Sequence, residues 1–330
     1  MNITVQHPTQ ILMERQFIAR SVVEVAVESS ILILINILAL VGNTLVVLAY
    51  VKNSALRNVT NTLIIALSLS DIVMAIFPMP LSVGALICGE WLYGDIMCAI
   101  QGVMVFFLAF VSLQIMALTA VNRYYKIIKP LRCEKIFKRW STICMIVCAC
   151  VISIALVASM HFTSPTWEFG LHSGKIICVQ IGDSDLYQLI YTMLASVFFV
   201  VLPAILIIVC YYKVFRKLRQ HTKQIRIRIK SSTGQPDAAL RQESALSRSK
   251  LAITRTLFGT VLGFFICWIP CFLIDMLDVM QENWFDRRVY LVYMYLAYTS
   301  SAINPLIYGI LNPSFRREFF NMVTCENVPQ

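Results

Sequence analysis

The chain has 330 residues, 58% of them hydrophobic and only 14% charged, with a net charge of +10. A soluble domain carries about 25% charged residues, so this composition points away from one. Eleven cysteines are too sparse for a disulfide scaffold, no paired CxxC motifs offer a zinc site, and most thiols sit in apolar runs as small inert residues.

Residues 1–29 are polar to mildly amphipathic, broken by Arg15, Arg20, Glu24 and Glu28. That is not a cleavable signal peptide, so the first apolar helix is expected to act as an uncleaved insertion signal. Asn2-Ile3-Thr4 is a glycosylation sequon, which matters if this end is extracellular.

Seven apolar segments follow, at 30–51, 62–87, 98–122, 141–162, 187–212, 251–279 and 289–311. Most have about 20 residues or more, enough for a helix to cross a hydrocarbon core of roughly 30 Å. The third shows the pattern well. From Cys98 it carries no charge until Arg123, a helix of about 37 Å at 1.5 Å per residue. Its ends differ: a thiol at one, and Arg123-Tyr124 followed by Lys126, Lys129 and Arg132 at the other. Short polar loops join the segments, except for a longer basic one at 213–250 with a breaker at 233–237.

The basic residues fall on one side of this arrangement. Twenty-three of the 28 lie between segments 1 and 2, between segments 3 and 4, in or beside the 213–255 stretch, or beyond segment 7, and five lie opposite. The bias places the N-terminus outside and the C-terminus inside. The net charge then belongs to a cytoplasmic surface facing anionic lipid and an acidic protein partner, and nucleic acid is not needed to explain it.

Polar residues inside the spans are expensive and mark function. Asn43, Asp71, Ser112, Ser300, Ser301 and Asn304 are of this kind. They suit either a hydrated hydrogen-bond cluster or a set of oxygen ligands for Na⁺. Pro203, Pro270 and Pro305 interrupt segments 5, 6 and 7 and can kink them. Phe264 and Trp268, four residues apart, share a face just before Pro270.

Gly42-Asn43, Leu67 to Asp71, Trp91-Leu92-Tyr93-Gly94, Cys98, Asn122-Arg123-Tyr124, Cys267-Trp268-Ile269-Pro270 and Asn304-Pro305-Leu306-Ile307-Tyr308 occur in order. In this, residues 30–320 resemble the rhodopsin-like (class A) G-protein-coupled receptors, nearest in flavour to melatonin receptors and lysine-less opsin-like receptors. The resemblance implies an all-α, integral membrane bundle of seven transmembrane helices (30–311, with the cytoplasmic loop 213–250). Residues 1–29 would be extracellular. An amphipathic eighth helix and short tail (312–330) would bury Phe315, Phe319 and Phe320 in the inner leaflet of the plasma membrane. It implies a disulfide from Cys98 to Cys178 and palmitoylation of Cys325. It implies that Asn122, Arg123 and Tyr124 couple to a heterotrimeric G protein together with Tyr211, Phe264, Trp268, Asn304, Pro305 and Tyr308. Asp71, Ser112, Ser301 and Asn304 would hold an allosteric Na⁺.

Counting from these motifs, the ligand pocket would take Val105, Phe106 and Ala109 from segment 3 and Ala195, Ser196 and Phe199 from segment 5. Trp268, Cys271, Phe272 and Asp275 would come from segment 6, and Tyr290, Met294 and Tyr298 from segment 7. Receptors for cationic amines carry an aspartate where this chain has Val105. Opsins carry a lysine where it has Tyr298, so covalent retinal is not expected. A small neutral or lipophilic ligand is the leading reading, then a peptide touching Asp275 and Asp278, then a constitutively active receptor. Asn122 replaces the usual acid before Arg123, and segment 6 begins with basic residues, so Arg123 lacks a carboxylate lock and raised basal activity is expected. A transporter would show internal repeats or half-helices broken at mid-membrane, and neither is found. An enzyme is not expected, since HExxH and GxSxG are absent.

Overall fold

The computed structural model describes residues 8–163, 168–181, 193–194, 196–231, 238–280 and 285–324. The sequon at Asn2, the breaker at 233–237, Ala195 and Cys325 lie outside them, as does the side chain of Phe199.

Helix α1 (Pro8–Ile18) opens on a proline, which fits a first turn because its missing N–H has no helical partner there. Helix α2 (Val22–Lys52) begins eight residues before the expected segment. Ser21 and Glu24 form a capping box, with Glu24 N donating to Ser21 Oγ at 3.2 Å and Ser21 N to Glu24 Oε2 at 2.9 Å. The charge of Glu28, which breaks the apolar pattern here, is met by Arg20 Nη1 at 2.8 Å and by both terminal nitrogens of Arg287.

The second segment is two helices, α3 (Val59–Ile76) and α4 (Pro78–Cys88). Asn58 caps α3, and Pro78, without an N–H, ends its ladder. Gly89 closes α4 at φ 78°, a backbone region open to glycine. Helix α5 (Gly94–Ile128) has 35 residues, about 52 Å, and forms the central rod. After it come α6 (Pro130–Ile136) and α7 (Arg139–Thr163). Strands β1 (Glu168–His172) and β2 (Ile177–Ile181) make an antiparallel hairpin with Leu171 opposite Cys178. A π-helical turn (Val197–Val201) leads into α8 (Leu202–Ser231), where Pro203 sits in the first turn. Helices α9 (Ala238–Met280) and α10 (Arg287–Leu311) hold Pro270 and Pro305 within them. The expected loop 213–250 is therefore helical on both sides of 232–237.

Five stretches of the described residues are long and apolar enough to cross a membrane: Val22–Lys52, Val59–Cys88, Gly94–Ile128, Arg139–Ser159 and Arg241–Asp278. The bundle is apolar outside as well as inside. Leu34, Ile37, Val41, Val151, Ile152, Ile208 and Ile266 are all exposed, as lipid-facing positions should be.

Two cores divide the interior. One, around Leu63, Leu67, Met116, Tyr211, Phe264 and Tyr308, lies toward the end bearing Arg123. The other, around Leu32, Met79, Val105, Cys271, Met294 and Tyr298, lies toward the hairpin. Helix α11 (Pro313–Thr324) turns Phe315 into the first core, 5.8 Å from the ring of Tyr308. The expected membrane face of this helix is accordingly divided: Phe319 is half-buried against Phe315, and Phe320 alone of the three is exposed. Asn53 Nδ2 donates to Glu318 Oε1 at 2.8 Å and ties α11 to the end of α2.

Candidate functional site

Three regions lie along the bundle axis. At one end Arg123 is buried on α5, its Nε lacks a partner, and no carboxylate pairs with it among the described residues. Neighbouring Asn122 turns away toward α3, where Thr60 Oγ1 donates to Asn122 Oδ1 at 3.0 Å. Lys213 Nζ lies 5.8 Å above the ring of Tyr124. Tyr211 and Tyr308 share the same core, both buried, and the Tyr211 hydroxyl has no partner.

At mid-bundle Asp71 accepts from Asn304 Nδ2 at 2.9 Å. Ser70 and Ser112 lie 3.2 Å apart, oxygen to oxygen, and Asn43 Nδ2 donates to the Ser301 carbonyl at 3.0 Å. A cavity of ≈ 10 Å³ opens among Ser70, Asp71, Ser112, Ser300, Ser301 and Asn304, room for about one water-sized sphere. The Oδ1 of Asn304 is buried without a partner. One carboxylate, hydroxyls and an unsatisfied amide oxygen around so small a space are a donor set that suits Na⁺. Ser70 and Ser300 join the four residues expected there. Above the cavity Trp268 stacks on Phe264 at 5.8 Å, and the Trp268 indole N–H has no partner. Gly42 packs so closely on Pro305 that a carbon added to it would lie 2.8 Å from the Pro305 Cβ.

The third region is a cavity of ≈ 1110 Å³. Phe106, Ala109, Ser196, Trp268, Phe272 and Asp275 line it, as counted from sequence. Phe110, Phe169, Phe258, Phe264 and Phe265 add an aromatic wall. Val105, Cys271, Met294 and Tyr298 belong elsewhere. They are packed in the second core with Ile176 and Ile177, because the hairpin turn folds into the bundle and fills that half. Counting along helices could not foresee a loop as filler.

The turn is held at several polar points. Cys98 and Cys178 form a disulfide, with Cα atoms 5.3 Å apart. Cys178 N donates to Gln101 Oε1 at 2.8 Å, and Gln101 Nε2 to Ser82 Oγ at 2.9 Å. Ser82 Oγ donates to the Ile176 carbonyl at 2.7 Å and lies 2.7 Å from the Tyr298 hydroxyl. Lys175 Nζ reaches Asp275 Oδ1 at 2.8 Å and Asp278 Oδ2 at 2.7 Å. Burial opposes the charge on Lys175, but the two carboxylates outweigh it and hold its ammonium above the ordinary lysine range. Over the turn lies α1, whose Met13 and Phe17 are buried. Arg20 fixes α1 by donating to the carbonyls of Phe17 at 2.7 Å and Leu86 at 2.6 Å. Ser82 and Lys175 carried no signal in the sequence. Gln101 did, as an amide in an apolar run.

A model of the seven-transmembrane receptors of the rhodopsin family matches residues 42–308. The chain belongs to that family. It is therefore a multi-pass plasma-membrane receptor that signals through G proteins, and not an enzyme. It is 27% identical over 301 residues to the neuropeptide Y receptor type 6 of Mus musculus, covering 88% of this chain and 78% of that one. It is 25% identical over 317 residues to the melatonin receptor type 1B-B of Danio rerio, covering 94% and 86%. The crystal structure of squid rhodopsin superposes with a TM-score of 0.80 at 20% identity, over 99% of this chain and 93% of that one, a likeness of fold.

Proposed function

We propose that this receptor binds a small neutral or lipophilic ligand inside its bundle and answers by activating a heterotrimeric G protein through Arg123. The observation that carries the reading is the ≈ 1110 Å³ aromatic cavity, whose mouth acids Asp275 and Asp278 are already met by Lys175. Pockets for small ligands run to about 300–1,000 Å³, mostly apolar with few polar handles; this one is slightly larger and shares the apolar lining. The position of the amine-binding aspartate holds Val105, packed in the core. The basic-residue bias sets the N-terminus outside and the C-terminus inside, with Asn2 open to glycosylation and Cys325 to palmitoylation. Asp71, Ser112, Ser301 and Asn304, with Ser70, would hold Na⁺, which would supply positive charge to the buried carboxylate.

The test is nucleotide exchange on G proteins by receptor in bilayer discs, with indoles, retinoids, neutral lipids and peptides in turn, beside Arg123→Ala. Exchange driven by one apolar class and lost in the variant supports the reading. A response confined to peptides, as the neuropeptide Y receptor likeness suggests, overturns the ligand class.

A second reading is supported by Asn122. Its side chain bonds Thr60, and Arg123 has no carboxylate partner among the described residues, so basal exchange without ligand is expected above that of Arg123→Ala.

A further inference from the structure

Asp275 and Asp278 lie three residues apart on α9, and Tyr290 and Tyr293 three apart on α10, so each pair shares a helix face. The two faces meet around one nitrogen. Asp275 gives Oδ1 to Lys175 Nζ at 2.8 Å, while its Oδ2 accepts from the Tyr293 hydroxyl at 3.0 Å. Asp278 supplies the second ion pair: its Oδ2 lies 2.7 Å from Nζ without hydrogen-bond alignment, and its Oδ1 accepts from the Tyr290 hydroxyl at 2.5 Å. The rings of Tyr293 and Tyr290 stand 5.0 and 5.5 Å from Nζ, within cation–π range. Each carboxylate is thus fixed by a phenol and turns its other oxygen to the ammonium.

The lysine arrives in this cage as a ligand would. It comes from a chain segment 100 residues away from Asp275 and is almost fully buried. The backbone N–H groups of Gly174 and Lys175 donate to His172 Nδ1 at 3.2 and 3.1 Å, so the turn presents the side chain in a fixed pose. Gly174 is wedged between α1 and α10: a carbon added to it would lie 2.7 Å from both Met13 Sδ and Tyr290 Cβ. A plain hydrophobic contact would close the mouth at less cost than a buried ammonium between two partly buried carboxylates, which is a poor route to stability alone.

We propose that Asp275, Asp278, Tyr290 and Tyr293 form a binding site for a primary ammonium group, and that the receptor fills it with its own Lys175. Residues 173–176 are then a tethered ligand that bridges α9 and α10 above the cavity. Pro270 lies between this cage and the Phe264–Trp268 stack on the same helix, so occupancy of the cage holds the outer arm of a kinked rod. The free ligand in the cavity beneath needs no charge of its own.

The test is chemical complementation in full-length receptor in bilayer discs. Lys175→Ala removes the occupant and leaves a space that n-propylammonium matches. The variant is expected to lose about 4 °C or more in Tm. Millimolar n-propylammonium is expected to recover at least about half of that loss, as a bound ligand raises Tm by mass action. 1-Propanol, of the same shape without the charge, is expected to recover none. Adding Asp275→Asn and Asp278→Asn to Lys175→Ala is expected to abolish the recovery. An unchanged Tm in Lys175→Ala, equal recovery by propanol, or recovery without the carboxylates overturns the proposal. If Lys175→Ala fails to reach the cell surface, expression in medium containing either compound gives the same readout: rescue by the ammonium alone supports the site, and rescue by neither overturns it. These outcomes do not depend on G-protein activation, so failure of the ligand reading above is told apart from failure here.

Discussion

Asn304 donates one hydrogen bond to Asp71 at 2.9 Å, across 233 residues of sequence, while its own amide oxygen stays buried without a partner. A buried acceptor left over beside a carboxylate calls for a cation or a water. If Na⁺ supplies the partner, replacing NaCl by choline chloride lowers the Tm of the wild type, and Asp71→Asn removes that dependence. At ten times its dissociation constant a bound ion stabilises by about 1.4 kcal/mol. Thermal melts of both proteins in both salts decide the matter. An equal salt effect in the two would leave a hydrated hydrogen-bond cluster instead.

Arg123 and Asn122 are adjacent, yet their side chains part, and Asn122 is taken up by Thr60 at 3.0 Å. Asn122→Asp places a carboxylate beside an arginine that lacks one among the described residues. A hydrogen bond to a charged partner contributes about 1.5–3 kcal/mol. Ligand-free nucleotide exchange is therefore expected to fall about tenfold in Asn122→Asp, and to reach background in Arg123→Ala. Basal exchange that does not fall in Asn122→Asp would remove the missing lock as its cause.

How far the sequence discloses this molecule depends on where each constraint comes from. A membrane demands about 20 apolar residues in a row, so the helices could be read directly from composition. Asp71, Arg123 and Trp268 stood out because polar groups and broken patterns are conspicuous in such runs. The early start of α2 was hidden, since Glu28 looks like a breaker until Arg20 and Arg287 arrive from elsewhere to neutralise it. The seat of Val105, Met294 and Tyr298 was hidden for a similar reason. Helical counting gives the direction of a side chain, but Ile176 and Ile177 come from a hairpin that no periodicity announces. In the sequence Lys175 is a single basic residue between segments 4 and 5, and its partners lie 100 residues and more along the chain.

Gly102 is the point where α5 lets the hairpin in. A carbon added there would fall 2.5 Å from the Cys178 carbonyl oxygen and 2.8 Å from the Phe169 ring. The carbonyl belongs to a backbone held by the Cys98 disulfide and by Gln101, so it has little freedom to withdraw. Gly102→Ala is expected to destabilise the receptor by about 1–3 kcal/mol, the usual cost of overpacking. A lowered Tm with the disulfide still intact by mass would match this account. An unchanged Tm would mean that the hairpin yields more easily than its bonds imply.

Lys175 supplies a prediction whose sign follows from its surroundings. Burial disfavours the ammonium, and Asp275 and Asp278 more than compensate, so its folded pKa is raised above the ordinary lysine value. A group raised on folding contributes its full stability below the unfolded pKa, about 10.4, and loses it as pH rises through the folded one. Lys175→Met leaves two carboxylates without their cation, which costs about 3–5 kcal/mol when one member of a buried pair is removed. The gap in Tm between wild type and Lys175→Met is thus expected to stay constant from about pH 7 to 9, and to shrink only when the pH passes well above the ordinary lysine range. Paired melts across that range measure it. A gap that already closes between about pH 7 and 9 would mean that burial prevails over the two acids and that the lysine sheds its proton early.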